Sequence, residues 1–206
     1  MSEQCFSMEK VIEVTNISKT FSGRKVLDNV SISVQRGSIC GLVGRNGCGK
    51  TVLMKCICGF IVPEIGQIKL FGKKVSRKKM PTDSMGIIIE NPGFMEDETA
   101  MKNLQYLAKL NNHIEKKQVE KTIIRVGLDP KEKKKVKNYS LGMRQRLAIA
   151  QAIMEEQDVI ILDEPMNGLD IEGVKQVRQL LLELKNEGKT ILLASHNSED
   201  IRDRKS

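Results

Sequence analysis

One short stretch of the chain has the residue types and the spacing that bind phosphate. It fits the pattern G-x-x-x-x-G-K-T, in which glycines let the backbone curl until its N–H groups point at phosphate oxygens. A strand pattern over residues 39–43 precedes it and a helical pattern over residues 52–57 follows it, which is the order the motif requires. The stretch consists of Gly44, Arg45, Asn46, Gly47, Cys48, Gly49, Lys50 and Thr51.

The end of this loop adds further phosphate-binding groups. The helix that begins there contributes the positive end of its dipole. Lys50 can reach the β- and γ-phosphates of a nucleotide, and the hydroxyl of Thr51 can bind Mg²⁺. The alternative is a glycine-rich turn that ends in Lys-Thr by chance, and the complete pattern in this context disfavours it.

Cys48 lies inside the loop, between Gly47 and Gly49. Backbone N–H groups, a helix start and Lys50 surround it, and such settings raise the reactivity of a thiol. We expect either a reactive Cys48 that bound nucleotide protects, or a side chain that turns away into packing and stays inert.

Two acidic residues, Asp163 and Glu164, directly follow the apolar run of residues 159–162. Open α/β sheets bind their ligands at the carboxyl ends of such buried strands. We expect Asp163 to hold Mg²⁺ beside Thr51, and Glu164 to orient or deprotonate a water molecule aimed at the γ-phosphate. An ordinary polar strand ending is the alternative, and the phosphate loop in the same chain favours the catalytic interpretation.

A second anion site is predicted where Ser140 and Gly142 begin another helix. A serine, a glycine and free N–H groups at a helix start suit an anion, and a simple capped helix is the alternative. Because a second phosphate contact would be redundant within one molecule, we expect this patch to serve the nucleotide of a partner.

Two further residues are candidates because of where they stand. His196 follows the apolar run of residues 190–194, so it would lie at the carboxyl end of that strand and face the same phosphates. Phe21 could stack on an adenine ring, although its residue type alone favours a core or edge-strand aromatic.

The remaining patterns predict the elements that position these residues. Residues 11–34 indicate antiparallel strands, residues 67–71 and 84–89 further strands, and the polar stretch 73–81 a loop. Helical periodicity over residues 99–126, after Ser140 and over residues 171–184 predicts helices. We expect an α/β fold with a mostly parallel core sheet and a single domain, 1–206. Its core lobe would be 1–90 and 156–206, and its inserted helical lobe about 91–155.

Length and composition favour one soluble globular unit. The chain has 206 residues, 40% hydrophobic and 29% charged. No apolar run reaches the length of a bilayer crossing and no hydrophobic signal region opens the chain, so we expect a cytoplasmic protein. The cysteines lack metal-ligand spacing, which favours reduced thiols that pack as small hydrophobes. They are Cys5, Cys40, Cys48, Cys56 and Cys58.

Much of the net charge of +8 lies in residues 116–137, where nine residues are basic and three are acidic. A solvated basic helix and loop is the interpretation we favour, ahead of contact with anionic lipid and of specific nucleic-acid binding. Aromatic residues make up only 3% of the chain, which argues against a stacking platform for single strands.

This ordered set of motifs, spread over nearly the whole chain, resembles that of the nucleotide-binding subunit of an ABC transporter. Residues 44–51 resemble the family's Walker A, and residues 159–164 its Walker B with the catalytic glutamate. Residues 139–143 resemble the ABC signature and residues 167–170 the D-loop. His196 matches the switch histidine, and Phe21 matches the adenine-stacking aromatic.

The resemblance implies a P-loop NTPase of the ABC ATPase type with an antiparallel β subdomain. Such a subunit binds ATP and Mg²⁺, and it hydrolyses ATP in a head-to-tail dimer with a second ATPase subunit. Hydrolysis drives transport by separate integral membrane subunits, which places the chain at the inner face of the cell membrane. Nucleic acid is not an expected partner.

The chain departs from the family pattern in three places. Leu141 and Met143 stand where many members have Ser-Gly-Gly-Gln. Glu90 stands at the Q-loop position; as a hard oxygen ligand it is expected to join the Mg²⁺ environment, unless it faces the membrane partner. The chain ends at Ser206, where relatives continue with more strand and helix, which predicts a truncated chain or a short member. Residues 87–94 and 139–147 resemble the bacterial branch that exports, or confers resistance to, bacitracin and lantibiotic peptides.

Three functions follow from these observations. The first is an ATPase subunit of a membrane exporter, the second a soluble ABC-type ATPase acting on DNA or ribosomes, and the third a regulatory module without turnover. Soluble members usually carry two nucleotide domains or a long coiled coil, whereas this chain has one phosphate loop and no sustained heptads. Glu164 and His196 argue against a module without turnover.

Overall fold

The computed structural model describes residues 9–76, 84–90, 92–111 and 114–197. Strands in these ranges form two four-stranded sheets, one antiparallel in the order β2-β1-β4-β5 and one parallel in the order β3-β8-β7-β6. The strands are β1 (Lys10–Phe21), β2 (Arg24–Gln35), β3 (Ile39–Val43), β4 (Ile65–Leu70), β5 (Lys73–Lys74), β6 (Met85–Ile88), β7 (Val159–Asp163) and β8 (Thr190–Ser195). The predicted α/β fold with a parallel core sheet and an antiparallel β subdomain is confirmed.

Helices cover both faces of the parallel sheet. They are α1 (Lys50–Ile57), α2 (Ala100–Asn111), α3 (Lys116–Arg125), α4 (Leu141–Ile153) and α5 (Ile171–Asn186), and a short 3-10 turn occupies Val136–Asn138. Ser140 caps α4 as predicted, because its hydroxyl accepts a hydrogen bond from the backbone N–H of Met143 at 3.2 Å. None of the helices in the described ranges has the length and apolar character that a bilayer crossing requires.

The parallel sheet separates two hydrophobic cores. On β7, Ile160 and Leu162 pack into the core formed with α2 to α5. Val159 and Ile161, between them in sequence, pack into the core formed with α1 and the antiparallel sheet. Successive side chains of a strand point to opposite faces, so a strand covered on both faces must be apolar at every position.

The antiparallel sheet differs from the sequence-based expectation at one point. The stretch that begins at Lys73 was expected to be a loop, and that expectation is wrong at Lys73 and Lys74, which form β5 and pair with Lys69 and Leu70 of β4. Lysines suit such a place because charged side chains discourage the edge of a sheet from pairing with another chain. The part of the stretch over residues 77–81 lies outside the described residues.

The register of the parallel sheet brings several strand ends to one place. Val43 at the end of β3 pairs with Ser195 at the end of β8, and Asp163 at the end of β7 pairs with Ala194. The three strands therefore end at the same edge, and the segments that follow them begin side by side. The boundaries of the predicted helical lobe, 91 and 155, remain a prediction, because its helices share one continuous core with the parallel sheet.

The contact between α4 and the edge strand β6 depends on a glycine. A Cβ placed on Gly86 would overlap the carbonyl oxygen of Ala152 in α4. We expect Gly86→Ala to lower the free energy of unfolding by about 2 kcal/mol or more, because strand and helix must separate to admit the methyl group. Chemical denaturation measures this loss. Gly93→Ala is the matched control, since a Cβ there would meet nothing within 4 Å; equal stability of the two variants would contradict the prediction.

Candidate nucleotide site

The phosphate loop connects β3 to α1 and depends on one glycine at the helix start. Gly49 is the residue that caps α1, and it has a left-handed conformation with φ of 100°. A Cβ at this position would lie 2.9 Å from the carbonyl oxygen of Val26, so a side chain is excluded by backbone conformation and by space. The N-terminus of α1 thereby opens toward the loop.

Lys50 places its ammonium group inside this loop. Its Nζ donates to the carbonyl oxygens of Gly44 at 2.6 Å and Arg45 at 3.4 Å, and only 9% of its side chain is exposed. The same Nζ lies 3.4 Å from Oε1 of Glu164, which arrives from the end of β7. The two predicted residues therefore meet as an ion pair at the edge where phosphate is expected.

Thr51 and Asp163 form the second pair of the site. The hydroxyl of Thr51 donates to Oδ2 of Asp163 at 2.5 Å. The other carboxylate oxygen, Oδ1, is buried without a hydrogen-bond partner. An uncompensated buried carboxylate oxygen is costly, and a hydroxyl beside a carboxylate supplies the hard oxygen ligands that Mg²⁺ takes in proteins. The residues therefore fit a magnesium ion.

The rest of a magnesium shell would have to come from outside the protein. Within the described part of the chain, no group of three or more His, Cys, Asp or Glu residues could hold a metal. Mg²⁺ typically keeps several waters and shares the phosphate oxygens of its substrate while binding one or two protein groups. The hydroxyl of Thr51 and the carboxylate of Asp163 are two such protein groups.

Glu164 is held from two sides. Its Oε2 lies 2.8 Å from Nδ1 of His196 and accepts a hydrogen bond from the backbone N–H of His196 at 3.4 Å, while Lys50 approaches Oε1. Its own N–H donates to the carbonyl oxygen of Ala194 at 3.0 Å. Glu164 has φ of 51°, a conformation uncommon for residues other than glycine, and such strained residues cluster at functional sites.

Glu90 has a partner that the sequence did not reveal. Its Oε1 lies 2.5 Å from Nζ of Lys55, one helical turn after Thr51 in α1. The side chain of Glu90 is 64% exposed. This ion pair accounts for the position of Glu90 without a metal, so its predicted place in the Mg²⁺ environment remains a prediction. No motif signals Lys55, because the pairing joins residues 35 positions apart.

The remaining candidates, Phe21, Ser140 and Gly142, lie on other elements than the cluster of Lys50, Thr51, Asp163, Glu164 and His196. Phe21 is 41% exposed at the end of β1, with Nζ of Lys19 5.4 Å from its ring centroid. Ser140 and Gly142 begin α4. The next turn of α4 touches the cluster, since Nε2 of Gln145 donates to the carbonyl oxygen of Glu164 at 3.4 Å. Gln145 was not singled out from the sequence.

The cysteines divide by exposure. Cys48 is exposed, and its Sγ sits against Gly44, where a Cβ would come within 2.6 Å of it. Burial raises the pKa of the Cys56 thiol to about 11 and that of the Cys58 thiol to about 12. Burial also raises the pKa of Cys40. The three buried or half-buried thiols are therefore poor nucleophiles at neutral pH, and Cys5 lies outside the described residues.

The comparisons with known proteins agree on one family. A model of the family described as "ABC transporter" matches residues 27–167. The uncharacterized ABC transporter ATP-binding protein YybJ of Bacillus subtilis is 42% identical over 191 residues, which cover 93% of this chain and 88% of the relative. The bacitracin transport ATP-binding protein BcrA of Enterococcus faecalis is 44% identical over 191 residues, which cover 92% of this chain and 62% of the relative.

A solved structure supports the same relationship. CbiO1 from Clostridium perfringens, described as part of the ABC transporter complex CbiONQ, superimposes with a TM-score of 0.79 at 29% identity. The match covers 92% of this chain and 79% of CbiO1. The chain thus spans most of CbiO1 and of YybJ, but less than two thirds of BcrA.

The exposed thiol inside the loop can be tested by chemical labelling. We expect N-ethylmaleimide to modify the exposed Cys48 before the buried cysteines, and saturating MgATP to slow that modification because bound ligand restricts access to the thiol. Mass spectrometry locates the label. Cys48→Ser is the control: it should still bind ATP, and N-ethylmaleimide should not abolish its ATP hydrolysis. Labelling of Cys48 at equal speed with and without MgATP would contradict the prediction.

Proposed function

The chain belongs to the ABC transporter family, and from that premise we propose that it is the subunit that binds and hydrolyses ATP to drive a membrane transporter. One observation carries the proposal. The carboxylate of Glu164 is held between Lys50 and His196, at the sheet edge where Thr51 and Asp163 also meet. A water-activating carboxylate, a phosphate-binding cation and a metal-binding pair are the parts that phosphoryl transfer to water requires.

Each residue has a role that its surroundings support. The ammonium of Lys50 and the loop N–H groups stabilise the negative charge that develops on the transferred phosphoryl group. Glu164 accepts a proton from the attacking water or orients it. Nδ1 of His196 lies 2.8 Å from Oε2 of Glu164, so His196 positions the carboxylate; its proposed second role is to contact the γ-phosphate. Magnesium, when held by Thr51 and Asp163, supplies positive charge at the phosphate oxygens.

The loop of residues 44–51 and Phe21 together form the proposed binding surface for ATP. Arg45, Asn46, Gly47 and Cys48 are exposed around the helix start, and Gly49 is buried. The exposed ring of Phe21 is available for stacking on adenine, and its partner Lys19 lies within cation–π distance of the ring.

The patch of Ser140 and Gly142 is proposed to complete the site of a second copy. The first N–H groups of α4 lack helical partners, and one of them is satisfied by the Ser140 hydroxyl. The remaining donors and the positive helix end suit the γ-phosphate bound by the partner. A two-fold symmetric, head-to-tail dimer would place each such patch over the other copy's nucleotide.

Transport of an antimicrobial peptide or drug out of a bacterial cell is the proposed task. The relative described as a bacitracin transport ATP-binding protein is 44% identical to this chain. Such a subunit lies at the inner face of the cell membrane, in contact with integral membrane subunits. A soluble ATPase acting on nucleic acid or ribosomes is the alternative.

The charge of residues 116–137 does not favour the nucleic-acid alternative. Several of its basic side chains are already neutralised: Arg125 pairs with Glu187 at 2.5 Å, and Lys137 pairs with Asp97 at 2.6 Å. Because nucleic-acid affinity depends on the number of free cations that meet phosphates, these pairs reduce the charge available for it.

Replacing the proposed base tests the hydrolytic function. We expect Glu164→Gln to bind MgATP and to lose turnover by about 10²–10⁴-fold, since the amide keeps the shape of the carboxylate without its basicity. Phosphate release measures the rate, and gel filtration with MgATP should show the variant accumulating as a dimer. Glu120→Gln, which changes a 42% exposed side chain of α3, is the control. Wild-type turnover in Glu164→Gln would place the base elsewhere, and a monomer would contradict the dimer.

Two substitutions distinguish a role of Glu90 in Mg²⁺ binding from its ion pair with Lys55. We expect Glu90→Gln to require roughly tenfold more Mg²⁺ for half-maximal hydrolysis, because a ligand-sphere carboxylate is lost. Lys55→Met removes the ion pair and leaves the carboxylate, so it should not shift the Mg²⁺ dependence upward. An unaltered dependence in Glu90→Gln would show that Glu90 serves another contact.

Isolation of the chain from cells tests whether its partner is an integral membrane protein. We expect the tagged chain to copurify from detergent-solubilised membranes with an integral membrane protein identified by mass spectrometry. High salt and nuclease treatment should leave that association intact. Release of the chain by nuclease, or its sedimentation with ribosomes, would support the alternative function.

A further inference from the structure

Leu141, the first residue of α4, makes one specific contact although most of its side chain faces solvent. It is 62% exposed. A Cβ placed on Gly168 would overlap Cγ and Cδ2 of Leu141 and would lie 3.1 Å from its Cβ. The leucine side chain therefore rests directly on the bare backbone of Gly168, which itself has φ of 75°.

Gly168 belongs to the loop that joins Glu164 to α5. At its start, the N–H of Asn167 donates to the carbonyl oxygen of Glu164 at 3.1 Å. At its end, Oδ1 of Asp170 accepts from the N–H of Gly173 at 2.8 Å and caps α5. The loop therefore contributes, with β8 and α4, to the backbone position of Glu164.

The rest of the first turn of α4 also covers this loop. A Cβ on Gly142 would lie 3.1 Å from the carbonyl oxygen of Gly168, so the two backbones are nearly in contact. One turn later, Gln145 donates to the carbonyl oxygen of Glu164. Between these contacts, the side chain of Leu141 packs on the loop at Gly168.

We propose that Leu141 is a positioning residue for ATP hydrolysis: through Gly168 it holds the loop that fixes Glu164, and so it sets the rate of hydrolysis without contributing to nucleotide affinity. This inference rests on the proposed function of the site. A glycine at position 141, as in many members of the family, has no side chain to make this contact. The positioning contact would therefore occur only in chains with a large apolar residue at position 141.

A double-mutant cycle tests the proposal in the full chain. The variants are Leu141→Ala, Gly168→Ala and the two combined, and each is measured for kcat and KM of MgATP hydrolysis. Alanine at the first turn of a helix keeps α4 intact. We expect Leu141→Ala to lower kcat about fivefold and to leave KM within about twofold, because the variant loses the positioning of Glu164, which acts in the chemical step and not in nucleotide binding.

The coupling between Leu141 and Gly168 in this cycle decides whether the proposal holds. Gly168→Ala imposes a residue at positive φ and a collision with Leu141. The Leu141→Ala background removes the overlap with Cγ and Cδ2 and leaves the Cβ, 3.1 Å away, and the positive φ unchanged. The loss of kcat on Gly168→Ala should therefore be about fivefold smaller in that background than in the wild type. Equal losses in the two backgrounds would overturn the proposal.

A control and a second readout separate the other outcomes. Ile124→Ala removes a side chain with the same 62% exposure from α3 and should leave kcat unchanged. If Leu141→Ala raises KM instead of lowering kcat, Leu141 contacts the nucleotide or a partner, and the proposal fails. If the wild type releases no phosphate from MgATP, the proposed function itself fails; wild-type turnover with an additive cycle overturns only the role of Leu141.

Discussion

The parallel pairing of β3, β8 and β7 is the constraint on which the nucleotide site depends. Parallel strands joined by hydrogen bonds in one register must end together, and here Val43 faces Ser195 while Asp163 faces Ala194. The chain leaves the sheet at three adjacent points, so the phosphate loop, Glu164 and His196 need only short segments to meet. A slip of this register would separate the ion pair of Lys50 and Glu164, which is 3.4 Å long.

Within that edge, Glu164 connects the parts of the site. One carboxylate oxygen meets Lys50, the other meets His196, and its main chain is tied to β8 and to α4. These contacts come from elements far apart in sequence, so the left-handed backbone of Glu164 is maintained by its neighbours and not by its own preference. The geometry of the proposed catalytic site is therefore a property of tertiary packing.

The sequence was sufficient wherever one local segment determined the outcome. The phosphate loop, the acids Asp163 and Glu164 and His196 each lie at or directly after a strand end, so a motif and its context locate them. Contacts between distant segments could not be predicted: the pairing of Lys55 with Glu90 and the contact of Leu141 with Gly168 leave no periodic signal. Hydrophobic patterns likewise identified the buried strands without their order, because a pattern shows that a strand is covered but not which strand lies beside it.

The two-sided burial of β7 has a consequence for how this chain can change. Ile160 and Leu162 pack into one core and Val159 and Ile161 into the other, so this strand is part of the sheet that separates them. A substitution on either side alters the volume of one core and, by shifting the strand, disturbs the other. It would also move Asp163, which continues the strand. Amino-acid substitutions are therefore expected mainly in the outer helices and loops. Substitutions in β7 are expected in pairs that compensate each other's change in side-chain volume.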